Sequence, residues 1–362
     1  MACFILFGIA LTQSRTAWLF FLCFTIWWCW KYKIIKSRLS KKTIFYLIGI
    51  FTIFVTVIPY MSKLLGVLAT NNVVERATTG YLRIPMWNQM LLVISKEPLL
   101  GYGWNQVSVA QLSVYLQYPT TEWTEHSHNI ILDLLIWNGI PIATFILIGI
   151  AFWFYYLNKI MASFETFIAL AMVGVVLVHA MLEFPHDYAF FLLPVGFILG
   201  LVQSIDGNRI YIKFSSQLFY RIIPLLAIVY VWVLIEYKVL ESDTRLLRFE
   251  LLNIGSLHSQ YDAPIVVLLT HLRERNRFSR TEPTFGMSYD QLRWMHVVSQ
   301  RYATSDFLYR YAQALALNEQ EVEAKRHLLI IQKLYGRTYT YESLFNKDAT
   351  LAFKWNELSG SK

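Results

Sequence analysis

Lys31-Tyr-Lys-Ile-Ile-Lys-Ser-Arg-Leu-Ser-Lys-Lys42 leads directly into Thr43-Ile-Phe-Tyr-Leu-Ile-Gly-Ile-Phe-Thr-Ile-Phe-Val-Thr-Val-Ile-Pro-Tyr60. The second half carries 18 residues without a charge. That is close to the ~20 that a helix needs to cross a ~30 Å hydrocarbon core. The first half carries Lys31, Lys33, Lys36, Arg38, Lys41 and Lys42 with no acid among them. A short basic loop beside a span stays in the cytoplasm. Outward from this pair, apolar runs recur at roughly 1–30, 140–157, 166–184, 188–204 and 221–239. Over all 362 residues, 56% are hydrophobic and only 15% charged, against about 25% charged in ordinary soluble domains. A soluble domain cannot hide that much apolar surface, and disordered and fibrous chains are excluded as well. The fold class expected is all-α: a polytopic transmembrane helical bundle with a polar helical domain at the C-terminus. The formal net charge of +8 is then a topology signal before it is a nucleic-acid signal.

Counting spans from the basic loop divides the chain into four segments. Residues 1–60 hold the first spans, and 61–138 form an outer loop. Residues 139–240 hold further spans, and 241–362 form an outer helical domain. The link at Asn158-Lys159 falls inside, Glu183 to Asp187 outside, and Gly207 to Arg221, with Arg209 and Lys213, inside again. Two basic links agree with the count. The long tail translocates largely regardless of its own charge. In the tail, Phe307 to Leu317, then Asn318, then Val322 to Leu334 read as two amphipathic helices joined by a short turn. Such a hairpin resembles a tetratricopeptide unit, although arrays of that kind need about three copies. A small helical domain docked on the membrane part and a peptide-binding surface both fit. Cys3, Cys23 and Cys29 all lie in the first apolar run, without CxxC or Cys/His metal spacing.

The first run is interrupted by Gln13-Ser14-Arg15. Twelve residues of helix before that break span only about 18 Å. They have neither the basic n-region nor the A-x-A site of a signal peptide. The chain is therefore expected to begin within a larger membrane domain; one long span with Arg15 held in the protein interior is the alternative.

Function in a membrane protein is read from ionisable residues near the membrane, because their burial is expensive. Arg15 at mid-membrane costs about 2.5–3.5 kcal/mol on insertion scales. It either snorkels beside Trp18 or offers a planar fork to phosphate oxygens. In the outer loop, Arg76 and Arg83 precede Trp87. Ile84 to Ser95 is amphipathic enough to lie on the membrane surface, and Arg83 and Trp87, four apart, share a helix face. Gly101 and Gly103 follow Pro98. They form either an ordinary turn or one whose N–H groups meet an anion. Glu125-His126-Ser127-His128-Asn129 sits directly before an apolar run. Here an imidazole can act as a base near pH 7, or Asn129 or Ser127 simply caps a helix. No nearby Cys or second acidic cluster completes a metal site around His-x-His. Last, His179 and Glu183 are four apart, followed by Pro185, His186 and Asp187. This spacing suits a mutually satisfied pair on one helix face or a further part of a site.

Several of these motifs, taken in order, resemble the bacterial O-antigen ligase and polymerase superfamily: S-R-T-A-W at 14–18, R-I-P-M-W at 83–87, P-L-L-G-Y-G-W at 98–104 and H-S-H-N at 126–129. The segment H-N-I-I-L-D-L-L-I-W-N-G at 128–139 is similar to the family's His-Asn hallmark, with Ile142 where Gly or Thr is usual. L-E-F-P-H-D-Y-A-F-F-L-L-P-V-G-F-I-L-G at 182–200 is most similar to the branch holding PglL-type protein O-oligosaccharyltransferases. Members usually have more N-terminal spans, so the chain resembles the C-terminal part of one.

What the resemblance implies is a metal-independent membrane glycosyltransferase of the bacterial inner membrane, needing no cofactor. It would move a glycan from undecaprenyl diphosphate to a Ser or Thr hydroxyl of a periplasmic, pilin-like protein. His128, preceding Asn129 in the family motif, would be the general base. Arg83 with Arg15 would balance charge on the departing diphosphate. His126 and Glu125 would tune or orient His128, with Asn129, Trp87, Gly101, Gly103, His179 and Glu183 in support. The partners implied are a lipid-linked oligosaccharide, the acceptor protein and membrane lipids, with no nucleic acid. The alternatives are an O-antigen ligase using a lipid A core as acceptor, or an O-antigen polymerase. A flippase would need ionisable residues along its spans, whereas here they gather at one face.

Overall fold

The computed structural model describes residues 1–66, 83–205, 215–252 and 262–346, without the side chain of Arg15. Arg76, Gly207, Arg209 and Lys213 lie outside the described residues. The described chain is all-helical, with no strand among these residues. It forms two compact units, one of residues 1–110 and 124–209, the other of 111–123 and 210–362.

The first unit holds α1 (Ala2–Leu11), α2 (Arg15–Lys31), α3 (Lys41–Leu64), α4 (Arg83–Lys96), α6 (Ile130–Ile160), α7 (Phe164–Ala180) and α8 (Ala189–Ser204); α5 (Val107–Val114) bridges its boundary. The break expected at Gln13-Ser14-Arg15 is present. Gln13 takes a positive φ of 48°, and its buried amide donates to the carbonyls of Ala10 and Val55. That ties the α1 terminus to α3, along which Leu6, Ala10, Phe51, Val55 and Ile58 are packed together. A second cluster, Trp28, Ile35, Ile44, Leu157, Phe167, Leu170 and Val202, joins α2, α3, α6, α7 and α8. Beside it the Lys31 ammonium donates to the Asn158 carbonyl at 2.9 Å and Trp27 to the Asn158 side chain at 2.8 Å. Arg38 pairs with Glu165. The basic loop and the α6–α7 link thus share one end of this unit. α3 and α6, and α9 (Ser216–Leu251) of the second unit, are long and apolar enough to cross a membrane. The runs at 166–184 and 188–204 give shorter apolar helices, α7 and α8. Their break falls at a 3₁₀ turn over Pro185–Asp187, where the proline lacks the N–H that would extend a helix.

α6 is one element with a kink. Gly139 sits at φ 71°, and Pro141 cannot donate to the Trp137 carbonyl four residues back. The turn at 98–103 takes up what the kink releases. Gly103 N–H donates to the Trp137 carbonyl at 3.0 Å, Tyr102 N–H to that of Ile136 at 2.7 Å, and Ile140 N–H to that of Pro98 at 2.7 Å. Only glycine fits here: a Cβ on Gly101 would lie 2.4 Å from the Ile136 oxygen, and one on Gly139 2.3 Å from the Leu99 oxygen.

The second unit contains α9, α10 (Thr270–Arg280), α11 (Tyr289–Arg301), α12 (Ser305–Leu317) and α13 (Glu321–Tyr335). The two amphipathic helices expected in the tail are α12 and α13, and they pack against each other. Their core includes Phe278, Met295, Leu308, Ala312, Leu315 and Ile331, together with Leu112 and Tyr115. Within the segment expected as the outer loop, residues 111–123 therefore pack into the second unit. Arg310, buried in α12, donates to the carbonyls of Ser279 and Thr281, which fixes the end of α10.

Candidate active site

Arg83, His126, His128 and Glu183 gather at the end of the α6–α7 hairpin away from Lys31. Asn129 caps α6: its side-chain oxygen accepts from Ile131 N–H at 3.0 Å and Leu132 N–H at 3.3 Å. Its amide donates to the Met181 carbonyl at 3.2 Å, fixing the 124–129 segment against the loop after α7. A capping Asn uses its oxygen on the helix N–H groups, which leaves its NH₂ free for this cross-link. Trp87 on α4 donates from its indole to the Ser127 carbonyl at 2.9 Å. The adjacent His128 has a positive φ of 53°, a region that non-glycine residues enter rarely.

Glu183 joins the parts. One carboxylate oxygen pairs with the Arg83 guanidinium; the other lies 2.8 Å from His128 Nδ1. A carboxylate on Nδ1 favours the tautomer that carries its proton there and leaves Nε2 as an acceptor. The hydrogen bond from His128 is the largest influence on Glu183. With the charge of Arg83 it outweighs burial and holds the carboxyl below its ordinary range. The helix-face pairing of His179 with Glu183 does not form, because α7 ends at Ala180. His179 instead stacks on Phe191 and gives its carbonyl to Glu183 N–H.

A second imidazole–carboxylate pair lies alongside. His126 Nδ1 is 3.0 Å from Asp187 Oδ2. The structure brings His126 to Asp187 and not to His128; Glu183 holds the position on His128 that sequence reasoning gave to His126 and Glu125. Both rings meet Phe184, His126 stacked at 4.6 Å and His128 edge-on at 5.0 Å. Burial works against a charged His126. The close contact and charge of Asp187, with Asp133 and Glu125 further off, prevail and raise its pKa above 6.5. Burial likewise opposes ionisation of Asp187, but His126 and His186 outweigh it and lower its pKa.

Asp133, 0% exposed, is the residue that sequence reasoning passed over. It accepts Ser127 N–H at 2.8 Å and lies 3.3 Å from His186 Nε2. Its signal was a carboxylate inside the otherwise apolar stretch Ile130 to Trp137. The Tyr102 and Gly103 N–H groups are engaged by α6, so the 98–103 turn acts as a clamp on the kink. α2 begins at Arg15; the Arg15 side chain lies outside the described residues. Among the described residues, no group of three or more His, Cys, Asp or Glu side chains could hold a metal ion.

With motifs and geometry in hand, comparison with known proteins defines the class. Residues 1–147 match the family model described as O-Antigen ligase. Residues 167–346 match that described as Virulence factor membrane-bound polymerase, C-terminal. The chain thus carries a match to the O-antigen ligase family over its first 147 residues and to a membrane-bound polymerase C-terminal family over much of the rest. It is 33% identical over 360 residues to a General O-oligosaccharyltransferase of Acinetobacter baylyi, an alignment covering 97% of this chain and 62% of that protein. It is 32% identical over 218 residues to a ComP-specific O-oligosaccharyltransferase of the same organism, covering 59% of this chain and 39% of that protein. The chain thus spans less than two thirds of the length of these relatives. No solved structure matches it.

Proposed function

We propose that this membrane protein transfers a glycan from a lipid-linked diphosphate of the undecaprenyl type to a Ser or Thr hydroxyl of a periplasmic protein. The observation that carries the reading is Glu183 holding both Arg83 and His128 Nδ1, the latter at 2.8 Å. An acceptor hydroxyl must lose its proton as its oxygen attacks the anomeric carbon. His128 takes that proton on Nε2, and the Glu183 carboxylate stabilises the resulting imidazolium. As the new C–O bond forms, the anomeric C–O bond to the diphosphate breaks and its electron pair leaves with the phosphate. Arg83, together with Arg15, balances the charge gathering there. Planar guanidinium suits phosphate oxygens. The names of the relatives support an oligosaccharide as the transferred group.

The reaction takes place on the periplasmic face of the inner membrane, with 1–60 and 139–240 supplying the spans and 61–138 and 241–362 lying outside. The support is the arrangement of the α6–α7 hairpin. Lys31 and Arg38 lie at its 158–165 end and the imidazoles at its other end. By the positive-inside rule the site is then outside.

The test is transfer in reconstituted membranes, offering a lipid-linked oligosaccharide with either a pilin-like polypeptide or a lipid A core. Wild-type protein glycosylates the polypeptide. His128→Ala loses activity about 10²–10⁴-fold, the usual contribution of a general base, while its insertion is unchanged. Equal transfer by His128→Ala at matched expression removes the assigned role, and modification of the lipid A core alone replaces the acceptor class.

A further inference from the structure

The second unit carries an outward-facing apolar segment beside a helix long and apolar enough to cross a membrane. α9 runs without charge from Ile222 to Ile235, a stretch whose side chains are not buried against the protein. Glu236 is the first charged residue after it. Tyr230, Trp232 and Tyr237 are exposed around this point, and Lys238 follows. Aromatic rings and a lysine mark the level where a span meets the headgroups. At that level Glu236 is itself buried and fully engaged. It accepts the backbone N–H groups of Val267, Leu268 and Leu269 at 2.8, 2.9 and 2.9 Å and the Trp232 indole N–H at 2.9 Å.

Those bonds pin the segment Ala263-Pro-Ile-Val-Val-Leu-Leu269 beside α9. Its side chains are sorted by direction. Ala263 and Val266 point into the protein, whereas Ile265 is 90% and Val267 65% exposed. With Leu268, 43% exposed, they make a run of outward aliphatic side chains beside the uncovered apolar stretch of α9, whereas apolar residues on a water-exposed surface are normally scattered singly. Backbone entering a low-dielectric layer must have its N–H groups satisfied, and Glu236 satisfies three in succession.

We propose that Ile265 and Val267 insert into the bilayer interface beside the C-terminal end of α9's apolar run, giving the second unit a second, non-helical membrane anchor with Glu236 as its positioning residue. The partner is the lipid itself, because the segment continues the uncovered apolar face of α9, a helix long and apolar enough to cross a membrane. The inference does not depend on glycan transfer.

The experiment uses the full chain with Cys3, Cys23 and Cys29 replaced by alanine, in nanodiscs of phosphatidylcholine and phosphatidylglycerol in equal parts. An environment-sensitive fluorophore is attached through Ile265→Cys, through Val267→Cys, or through Val322→Cys, which is exposed on α13. The probes at 265 and 267 are expected to shift to the blue, to be quenched by spin-labelled lipid and to lose most quenching by aqueous iodide. The probe at 322 shows the reverse. Adding Glu236→Gln lowers lipid quenching at 265. Iodide quenching at 265 and 267 equal to that at 322 overturns the anchor. Shielding from iodide without lipid quenching assigns the face to a protein and overturns it equally. Unchanged lipid quenching in Glu236→Gln overturns the part given to Glu236.

Discussion

Glu183→Gln separates the charge of this side chain from its shape. The amide oxygen can still accept His128 Nδ1–H across the present 2.8 Å, so the ring keeps its direction. In the proposed mechanism, what disappears is the negative charge that stabilises the imidazolium formed in the transition state. Hydrogen bonds to charged groups contribute about 1.5–3 kcal/mol, roughly a 10- to 100-fold change in rate. The side chains are about a third exposed, 34% for Glu183 and 29% for His128, so screening by water favours the lower end. The expected loss in kcat is therefore about 10-fold. Glu183→Ala also frees the ring to rotate and approaches the ~10²–10⁴-fold loss of removing the base. Transfer is measured under saturating donor and acceptor, with melting temperature as a check on folding. Since His128 and Arg83 hold the Glu183 carboxyl below its ordinary value, its contribution is present at neutral pH and is lost only as pH falls through the lowered value. Activity of Glu183→Ala within twofold of wild type would refute this account, and with it the orientation given to His128.

Arg83→Lys keeps a charge beside Glu183 but replaces a planar fork with a point donor; it should lose about 10-fold or more in transfer, with the defect read in donor-concentration series and little change toward acceptor. Gly101→Ala places a Cβ 2.4 Å from the Ile136 oxygen at φ +67°. It should destabilise by about 2 kcal/mol or more, seen as a lower melting temperature in detergent. The raised pKa of His126 means its stabilising contribution is complete below 6.5 and is lost as pH rises through its folded value. A fall in melting temperature over that window should therefore flatten in Asp187→Asn. Reporters fused after Ser40 and Ser299 should be silent and active, respectively, when the reporter works only in the periplasm; the reverse pattern would invert the topology.

Much of this was legible in the sequence because membranes impose simple rules. The apolar runs, the basic loop and the helix break at Gln13 follow from length, charge and the cost of burying polar groups. Arg83 and Trp87 were placed on one face by their spacing alone. The pairing of carboxylates with imidazoles was not legible, because it depends on where α7 stops. Four-residue spacing pairs His179 with Glu183 only if the helix continues. It ends at Ala180, which turns Glu183 toward a segment 55 residues earlier in the chain. The role of the glycines was hidden for a similar reason. A G-x-G turn offers N–H groups to any acceptor, and only the three-dimensional kink at Gly139 and Pro141 identifies carbonyls of α6 as the ones that take them.

The two imidazole–carboxylate pairs impose a requirement on their surroundings. His126 and His128 are two residues apart on one segment; Glu183 and Asp187 are four apart on another. A small slip of one segment past the other would trade partners and leave a carboxylate unpaired. Three contacts oppose such a slip. Asn129 donates to the Met181 carbonyl, Trp87 holds the Ser127 carbonyl, and Phe184 is set between the rings. Asp133, fixed in the first turn of α6, adds the Ser127 N–H. Ser127 is thus held by both its N–H and its carbonyl, directly between the two histidines. The positive φ of His128 is the conformational cost of this arrangement, about 1–3 kcal/mol for a sparsely populated backbone region. Such a cost persists where neighbouring contacts over-determine the backbone, and here they lie on both sides of the residue proposed to take the proton.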